Sequence, residues 1–208
     1  MKKTLILIVL FVFPLVAYLF FASGINNFGI LPVLKDQIAE LPLNEDTIQF
    51  EDHISILGFF GKDLSFKKAN AFNLNQKIYK RFYEFQDFQF VIIVSPTAKE
   101  QVKELSAELE TLIDTSKWKF VYMDDAAAIA LYKSLNSSSM LDANFATNDV
   151  FIIDKSRRQR GRTTDDKEHS FPAYNATSVA TLTNVMIDDV KILLAEYRLA
   201  LKRNNANR

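Results

Sequence analysis

The chain has no cysteine among its 208 residues, and it has only two histidines, five glycines and five prolines. The absence of thiols excludes disulfide bonds, thiolate nucleophiles and cysteine-ligated metal centres. His53 and His169 are far apart in the sequence, so a histidine-rich metal site within one chain is not expected. We therefore predict no cofactor and no bound metal, and we find no catalytic set of residues that would make the chain an enzyme.

An excess of charge of either sign is also missing. Lysine and arginine total 25, aspartate and glutamate total 25, and the formal net charge is zero. Proteins that bind the phosphate backbone of nucleic acids usually carry a basic surplus, so we predict no nucleic-acid partner. Phenylalanine, by contrast, is abundant at 18 residues, which predicts a core rich in aromatic side chains.

The N-terminal region contains a long apolar run. Residues 5–22 carry no charged side chain, and Lys2 and Lys3 precede them. An apolar run of about 18 residues can span a bilayer, whereas the core of a cleaved signal peptide is usually about 7–15 residues long. Basic residues favour the cytoplasmic side of a membrane. We therefore predict a transmembrane anchor at residues 1–23, with the rest of the chain outside the cytoplasm. A signal peptide cleaved near residue 23 is the alternative.

The pattern after the predicted anchor changes from irregular to regular. Residues 24–50 combine glycine and proline with mixed polar residues, which predicts a linker. From residue 51 to residue 203, short apolar runs alternate with amphipathic stretches, which predicts strands that alternate with helices. Residues 88–95 include a stretch that is apolar on both faces, as in a central parallel strand covered by helices. Residues 204–208 are predicted to form a disordered tail.

The predicted elements follow the order of a thioredoxin fold, and one stretch sharpens the likeness. Val150 to Asp154, followed by a turn and by Arg160, Gly161 and Arg162, resembles the strand and hairpin of thioredoxin-like proteins of the Sco type. Those proteins are membrane-anchored copper-binding factors for cytochrome c oxidase assembly. The resemblance implies an α/β thioredoxin-like fold, with a central mixed sheet flanked by helices, preceded by one N-terminal transmembrane helix. It also implies a single-pass protein of the bacterial inner membrane whose C-terminal domain lies in the periplasm.

The copper ligands of the Sco type are missing from this chain. Members of that family carry two cysteines where the first strand meets the first helix, and the matching residues 61–68 contain none. Their third ligand is a histidine about eight residues before the aspartate that Asp154 matches, and residues 145–148 at that place contain no histidine. Copper is held by soft thiolate and imidazole ligands. The resemblance therefore carries over neither a copper site nor thiol–disulfide exchange.

Seven basic residues remain as candidates for partner binding, three in the loop before the first helix of the domain and four around the predicted hairpin. They are Lys62, Lys67, Lys68, Arg157, Arg158, Arg160 and Arg162. We expect these side chains in solvent, where an acidic partner or an anionic lipid headgroup would meet them. If the hairpin folds towards the same end as the loop, the two groups would form one basic surface. The alternative is that both groups are ordinary solvated surface.

These observations favour a membrane-anchored, non-redox thioredoxin-like protein that binds or scaffolds a protein partner, in assembly of a respiratory oxidase or another envelope complex. One alternative is an enzyme with a non-thiol site near residues 61–68. Another is a structural subunit of a membrane complex that docks through an aromatic helix predicted at residues 70–85. A deep polar cleft at residues 61–68 would favour the enzyme, and a closed, flat surface would favour the binding protein.

Overall fold

The computed structural model describes residues 10–19, 29–42, 47–162 and 171–206, without the side chains of residues 201–206. Helix α1 covers residues 10–19. Most of the predicted anchor, namely residues 1–9 and 20–23, lies outside the described residues, so the anchor stays a prediction. Within the described ranges, no helix combines the length and the apolar character needed to cross a membrane.

Seven strands form one mixed sheet. They are β1 (Val33–Lys35), β2 (Ile54–Gly61), β3 (Phe88–Val94), β4 (Trp118–Tyr122), β5 (Asp149–Ile153), β6 (Gln159–Arg160) and β7 (Tyr174–Asn175). The strand order is β1-β6-β5-β2-β3-β4, and β7 pairs with β5. The strands β2, β3 and β4 are parallel, whereas β5 is antiparallel to β2, β6 and β7. A mixed sheet of this kind, covered by helices, is the predicted fold class.

Four further helices cover the sheet. Helix α2 consists of Lys68–Leu74, a π-helical turn at Asn75–Tyr79 and a last turn at Lys80–Phe82. Helix α3 is Lys99–Glu110, and α4 is Asp125–Lys133. Helix α5 consists of Val179–Thr181, a π-helical turn at Leu182–Met186 and the long segment Ile187–Ala206. The side chain of Asp124 accepts a hydrogen bond from the amide of Ala127 and so caps α4.

The strand side chains alternate between two hydrophobic cores. In β3, Phe88, Phe90 and Ile92 belong to the first core, which also contains buried side chains of α2, α3 and α5. Val91 and Ile93 belong to the second core together with buried side chains of α4. A strand whose two faces are both covered is apolar at nearly every position. This arrangement explains the uninterrupted apolar run from which a central strand was predicted.

Part of the predicted linker 24–50 packs into the domain. Strand β1 pairs with β6 at the edge of the sheet, and Leu31 is buried in the first core. Ile38, Leu41 and Phe50 are buried in the second core. The domain therefore begins before residue 51, because scattered apolar residues in an irregular segment fill gaps that the helices leave. At the other end, α5 continues to Ala206, through part of the predicted tail 204–208, and residues 207–208 lie outside the described residues.

Candidate functional site

The end of β2 and the start of β5 lie side by side where these central strands end, because the two strands are antiparallel. The amide of Lys62 donates to the carbonyl oxygen of Asn144 at 3.0 Å, and the amide of Thr147 donates to that of Phe59 at 3.0 Å. Gly61 makes this approach possible, since its φ is +69° and a Cβ there would lie 2.0 Å from the Asn144 carbonyl oxygen. Residues 61–68 and 142–148 thus form one continuous surface, which we call the loop edge.

Lys67 lies at the loop edge but is buried, with 6% of its surface exposed. Its Nζ donates to Oδ1 of Asn148 at 2.7 Å, and Nδ2 of Asn70 donates to the same oxygen at 3.0 Å. Burial lowers the pKa of Lys67, although Asp142 and Asp149 act in the opposite direction. The prediction that this side chain lies in solvent is wrong, because the loop folds onto residues 142–148 and encloses it.

Lys62 and Lys68 are partly exposed, and each forms an ion pair with a neighbouring helix. Nζ of Lys62 lies 2.7 Å from Asp125 of α4, and Nζ of Lys68 lies 2.6 Å from Glu108 of α3. Nζ of Lys62 also lies 4.4 Å from the ring centroid of Phe145. Exposed ion pairs contribute about 0–1 kcal/mol to stability. Both lysines can therefore exchange their present partner for a carboxylate of another protein at little cost.

The arginine group begins at the opposite end of β2. Val150 of β5 pairs with Gly58, whereas Ile153 pairs with Ser55, so the turn after β5 lies beside the start of β2. At a rise of about 3.3 Å per residue, the length of β2 puts roughly 20–25 Å between that turn and the loop edge. The hairpin turn therefore folds away from the loop, and the single basic surface considered in the sequence analysis does not form.

Arg160 of the hairpin is almost completely buried, with 1% of its surface exposed. Its guanidinium donates to Oδ2 of Asp154 at 2.8 Å and to the carbonyl oxygen of Leu31 at 2.8 Å, and it forms an ion pair with Glu196 of α5. Burial by itself would raise the pKa of Asp154, but hydrogen bonds from Arg160 and Arg158 outweigh it and hold this pKa below its ordinary value. The prediction of a solvent-exposed Arg160 is wrong, because the guanidinium joins three segments of the chain.

The other arginines differ in how closely they contact carboxylates of the chain. Arg158 pairs with Asp154 at 2.9 Å, and Arg162 pairs with Asp189 of α5 at 2.8 Å. Asp189 is buried and also accepts a hydrogen bond from the hydroxyl of Tyr174. Arg157 is the most loosely held, at 3.9 Å from Glu40. Arg158, Arg160 and Arg162 therefore contribute chiefly to the fold.

A cleft that the sequence analysis did not predict lies beside the loop edge, between α4 and residues 137–145. Its volume is about 440 Å³, within the range of ligand-binding pockets. Exposed Lys133 and Asp142 are among the lining residues. The apolar part of the lining consists of Ile129, Tyr132, Leu135, Met140, Leu141 and Phe145. The available signal was the presence of large apolar residues in a segment that otherwise has the composition of a loop.

Hydrogen bonds hold the wall of this cleft in place. The hydroxyl of Tyr132 lies 2.8 Å from that of Ser137 and 2.9 Å from that of Ser139. The Ser139 hydroxyl also donates to Oδ2 of Asp149 at 2.7 Å. On the loop side, Oδ1 of Asp142 accepts hydrogen bonds from two backbone amides of the same loop. The cleft is thus formed by contacts within the chain.

The loop edge does not fit a copper ion. The chain has no thiol, and within the described ranges no group of three or more histidine, aspartate or glutamate residues could hold a metal ion. A protonated lysine such as Lys67 is a hydrogen-bond donor only and has no lone pair for a metal. Its ammonium joins residues 61–68 to Asn148, and so connects the two segments in which the sequence resemblance to the Sco type would place copper ligands.

Comparison with known proteins supports the fold. No family model matches the sequence, and no curated protein matches it. Among solved structures, a SCO1/SenC family lipoprotein from Bacillus anthracis is similar with a TM-score of 0.52 and 17% identity, over 80% of this chain and 99% of the other. A candidate protein disulfide isomerase from Bacteroides thetaiotaomicron is similar with a TM-score of 0.51 and 11% identity, over 80% and 95%. At these identities the likeness shows the fold alone, and it confirms the predicted thioredoxin-like fold and the presence of SCO1/SenC proteins among its structural neighbours.

Proposed function

We propose that this chain is a thioredoxin-like binding protein without redox chemistry, held at the outer face of a bacterial inner membrane by its N-terminal segment. Its protein partner docks at the loop edge and the adjoining cleft. The proposal rests on the composition and the hydrogen bonds of residues 61–68. This segment contains no thiol, and its buried lysine, Lys67, donates a hydrogen bond to Asn148, which also accepts one from Asn70.

A catalytic group has to reach the substrate atom with which it exchanges a proton or forms a bond. The ammonium of Lys67 is buried, and one of its hydrogens is directed to Asn148. The cleft beside the loop edge is lined mainly by apolar side chains, which favours recognition of an apolar group over polar chemistry. Leu64, Ser65 and Lys68 do line a separate depression with polar side chains of α3, but its volume of about 240 Å³ lies below the usual range for ligand-binding pockets, which favours the binding protein.

Large apolar side chains are also exposed at and beside the loop edge. Phe66, between the buried Leu64 and Lys67, is 75% exposed, and Met140 at the cleft is 87% exposed. Large exposed apolar side chains are frequent in protein interaction surfaces. By analogy with the SCO1/SenC name of a structural neighbour, we propose that the partner belongs to a respiratory oxidase in assembly or to another envelope complex.

Affinity purification of the full-length chain from membranes, with quantitative mass spectrometry, tests this proposal. The double variant Phe66→Ser, Met140→Ser removes the two exposed apolar side chains and should reduce the recovered partner about tenfold or more. The matched control is Phe85→Ser, Leu112→Ser, which removes two other exposed apolar side chains. Retention of every partner by the first variant, or equal loss with the control, would contradict docking at the loop edge.

The membrane part of the proposal needs a separate measurement. Alkaline phosphatase fused after residue 208 should be active in a bacterial host, because the domain would then lie outside the cytoplasm. An inactive fusion would contradict the proposed orientation, and a mature protein that starts near residue 23 would contradict the anchor.

A further inference from the structure

We infer that the cleft between α4 and residues 137–145 receives one large apolar side chain from an acidic segment of the partner. This inference rests on the proposed function, because it names the chemistry of the partner that docks there. It depends on three properties of the cleft, namely its size and lining, its fixed shape and the charges around it.

The size and lining of the cleft select the anchoring group. A volume of about 440 Å³ lies near the lower end of the range for ligand pockets, so the cleft suits a group as small as one or two side chains. Its walls include the rings of Tyr132 and Phe145 and the side chains of Ile129 and Leu141. An aromatic or large aliphatic side chain that fills such a space is the usual central anchor of a protein interface.

The fixed shape of the cleft favours binding. Tyr132 is held by Ser137 and Ser139, and Ser139 is held in turn by Asp149. A site whose walls are already held in position loses less conformational freedom when it is filled. Because these hydroxyl groups bond to one another, a buried apolar side chain would leave few polar groups without partners.

The charged groups around the cleft indicate which residues of the partner would flank the apolar side chain. Lys133 lines the cleft at the end of α4, and its ammonium forms no ion pair with any described residue. A second exposed cation is Lys62, which lies over the ring of Phe145 and holds Asp125 in an exposed pair. Asp142, the acidic lining residue, already accepts two backbone hydrogen bonds through Oδ1. The cations are therefore the groups most available to a partner, and they favour carboxylates beside the apolar anchor.

Methyl NMR of the full-length chain in lipid nanodiscs, with ¹³C-labelled methionine methyl groups, tests the inference. Met140 lines the cleft and reports on its occupation, whereas Met186 is buried in the first core and serves as the internal control. The probes are three capped pentapeptides. One has a central phenylalanine with two glutamates on each side, the second has lysines in place of the glutamates, and the third has alanine in place of the phenylalanine.

The acidic phenylalanine peptide should shift the Met140 methyl signal saturably. The alanine peptide should bind about tenfold more weakly or worse, and the lysine peptide about two- to fivefold more weakly. Lys133→Glu should weaken the acidic peptide about two- to fivefold and should favour the lysine peptide. Lys103→Glu makes the same charge change on α3, which packs on the opposite face of the sheet, and should leave both affinities unchanged.

Two results would overturn the inference. If no peptide shifts the Met140 signal, the cleft does not bind an apolar side chain. If the acidic and basic phenylalanine peptides bind equally, the partner segment is not selected for acidity. Neither result decides the proposed function, because loss of the partner on removal of Phe66 and Met140 would still show docking at and beside the loop edge, whatever the chemistry of the partner segment.

Discussion

Replacing Arg160 with methionine tests whether the buried guanidinium holds the hairpin to the rest of the domain. Methionine keeps a long, unbranched side chain but removes the charge and every hydrogen-bond donor. The change breaks the contacts with Asp154, with Glu196 and with the carbonyl oxygen of Leu31. Of these three partners, Asp154 is fully buried and cannot turn to water, so the loss of its partner matters most.

The expected cost follows from what remains around Asp154. Removal of one partner from a buried ion pair typically costs about 3–5 kcal/mol. Asp154 keeps its ion pair with Arg158 and two backbone amide donors, so we expect a value near the lower limit, about 3 kcal/mol. For a domain of this size, such a loss lowers the melting temperature by roughly 6–12 °C.

Urea unfolding followed by the fluorescence of Trp118 measures this cost. Trp118 is the single tryptophan of the chain and lies in the first core, so its emission reports on the domain. Arg157→Met is the matched control, because the same substitution three residues earlier, in the hairpin turn, removes only a loose contact with Glu40 at 3.9 Å. The control should cost no more than about 1 kcal/mol. Equal unfolding midpoints for the two variants would refute the view that the buried arginine stabilises the fold.

Three further predictions use the same assay. The domain should lose stability as the pH falls below about 4. The pKa of Asp154 is lower in the folded chain than in the unfolded chain, so its carboxylate stabilises the fold above about pH 4 and this contribution is lost as the carboxylate becomes protonated. In Arg160→Met the dependence of stability on pH should flatten, and an unchanged pH profile would contradict the role given to the contact between Asp154 and Arg160. Gly61→Ala should cost at least about 2 kcal/mol, because φ at this position is positive and the new methyl group would collide with the backbone carbonyl of Asn144. Gly29→Ala is the control and should cost far less, because a Cβ at residue 29 meets no atom within 4 Å. Lys67→Met should change stability by no more than about 1 kcal/mol, since it removes a charge whose burial is unfavourable. Lys67→Glu should cost about 3 kcal/mol or more, because it buries a negative charge beside Asp142 and Asp149. Equal effects of these two substitutions would contradict the electrostatic reasoning.

The helices and strands that carry the core could be predicted because their signal is local. The run from Phe90 to Val94 is apolar at five consecutive positions, and such a run is typical of a strand covered on both faces. Strand β1 has no such signal, because three residues at the edge of a sheet, at most half-buried, show no periodicity. The buried residues around β1, such as Ile38, depend on packing against distant parts of the chain and could not be read from their neighbours.

The charges of the candidate residues could be predicted, but their surroundings could not. The sequence shows that Arg160 is basic, yet its burial depends on Leu31 and Glu196, which lie 129 and 36 residues away. The contact between Lys67 and Asn148 spans 81 residues. In both cases the partner that decides exposure is brought close only by the sheet, so a local pattern of basic residues resembles a solvated surface. The cleft escaped prediction for a different reason: its lining residues lie close together in the sequence, between residues 129 and 145, but an irregular loop has no periodic pattern from which its folded shape can be predicted.

The distribution of paired charges limits what electrostatic attraction can contribute to partner binding. All seven basic candidates contact groups of the same chain, and three of them, Arg158, Arg160 and Arg162, contact a buried carboxylate. Exchanging those contacts for an outside partner would leave buried carboxylates without a counterion, which is costly. Only exposed charges such as Lys62 and Lys68 can turn to another protein, and each such pair is worth little in water. Most of the affinity for a partner must therefore come from apolar contact at Phe66, Met140 and the cleft, and it should depend more on these side chains than on salt concentration.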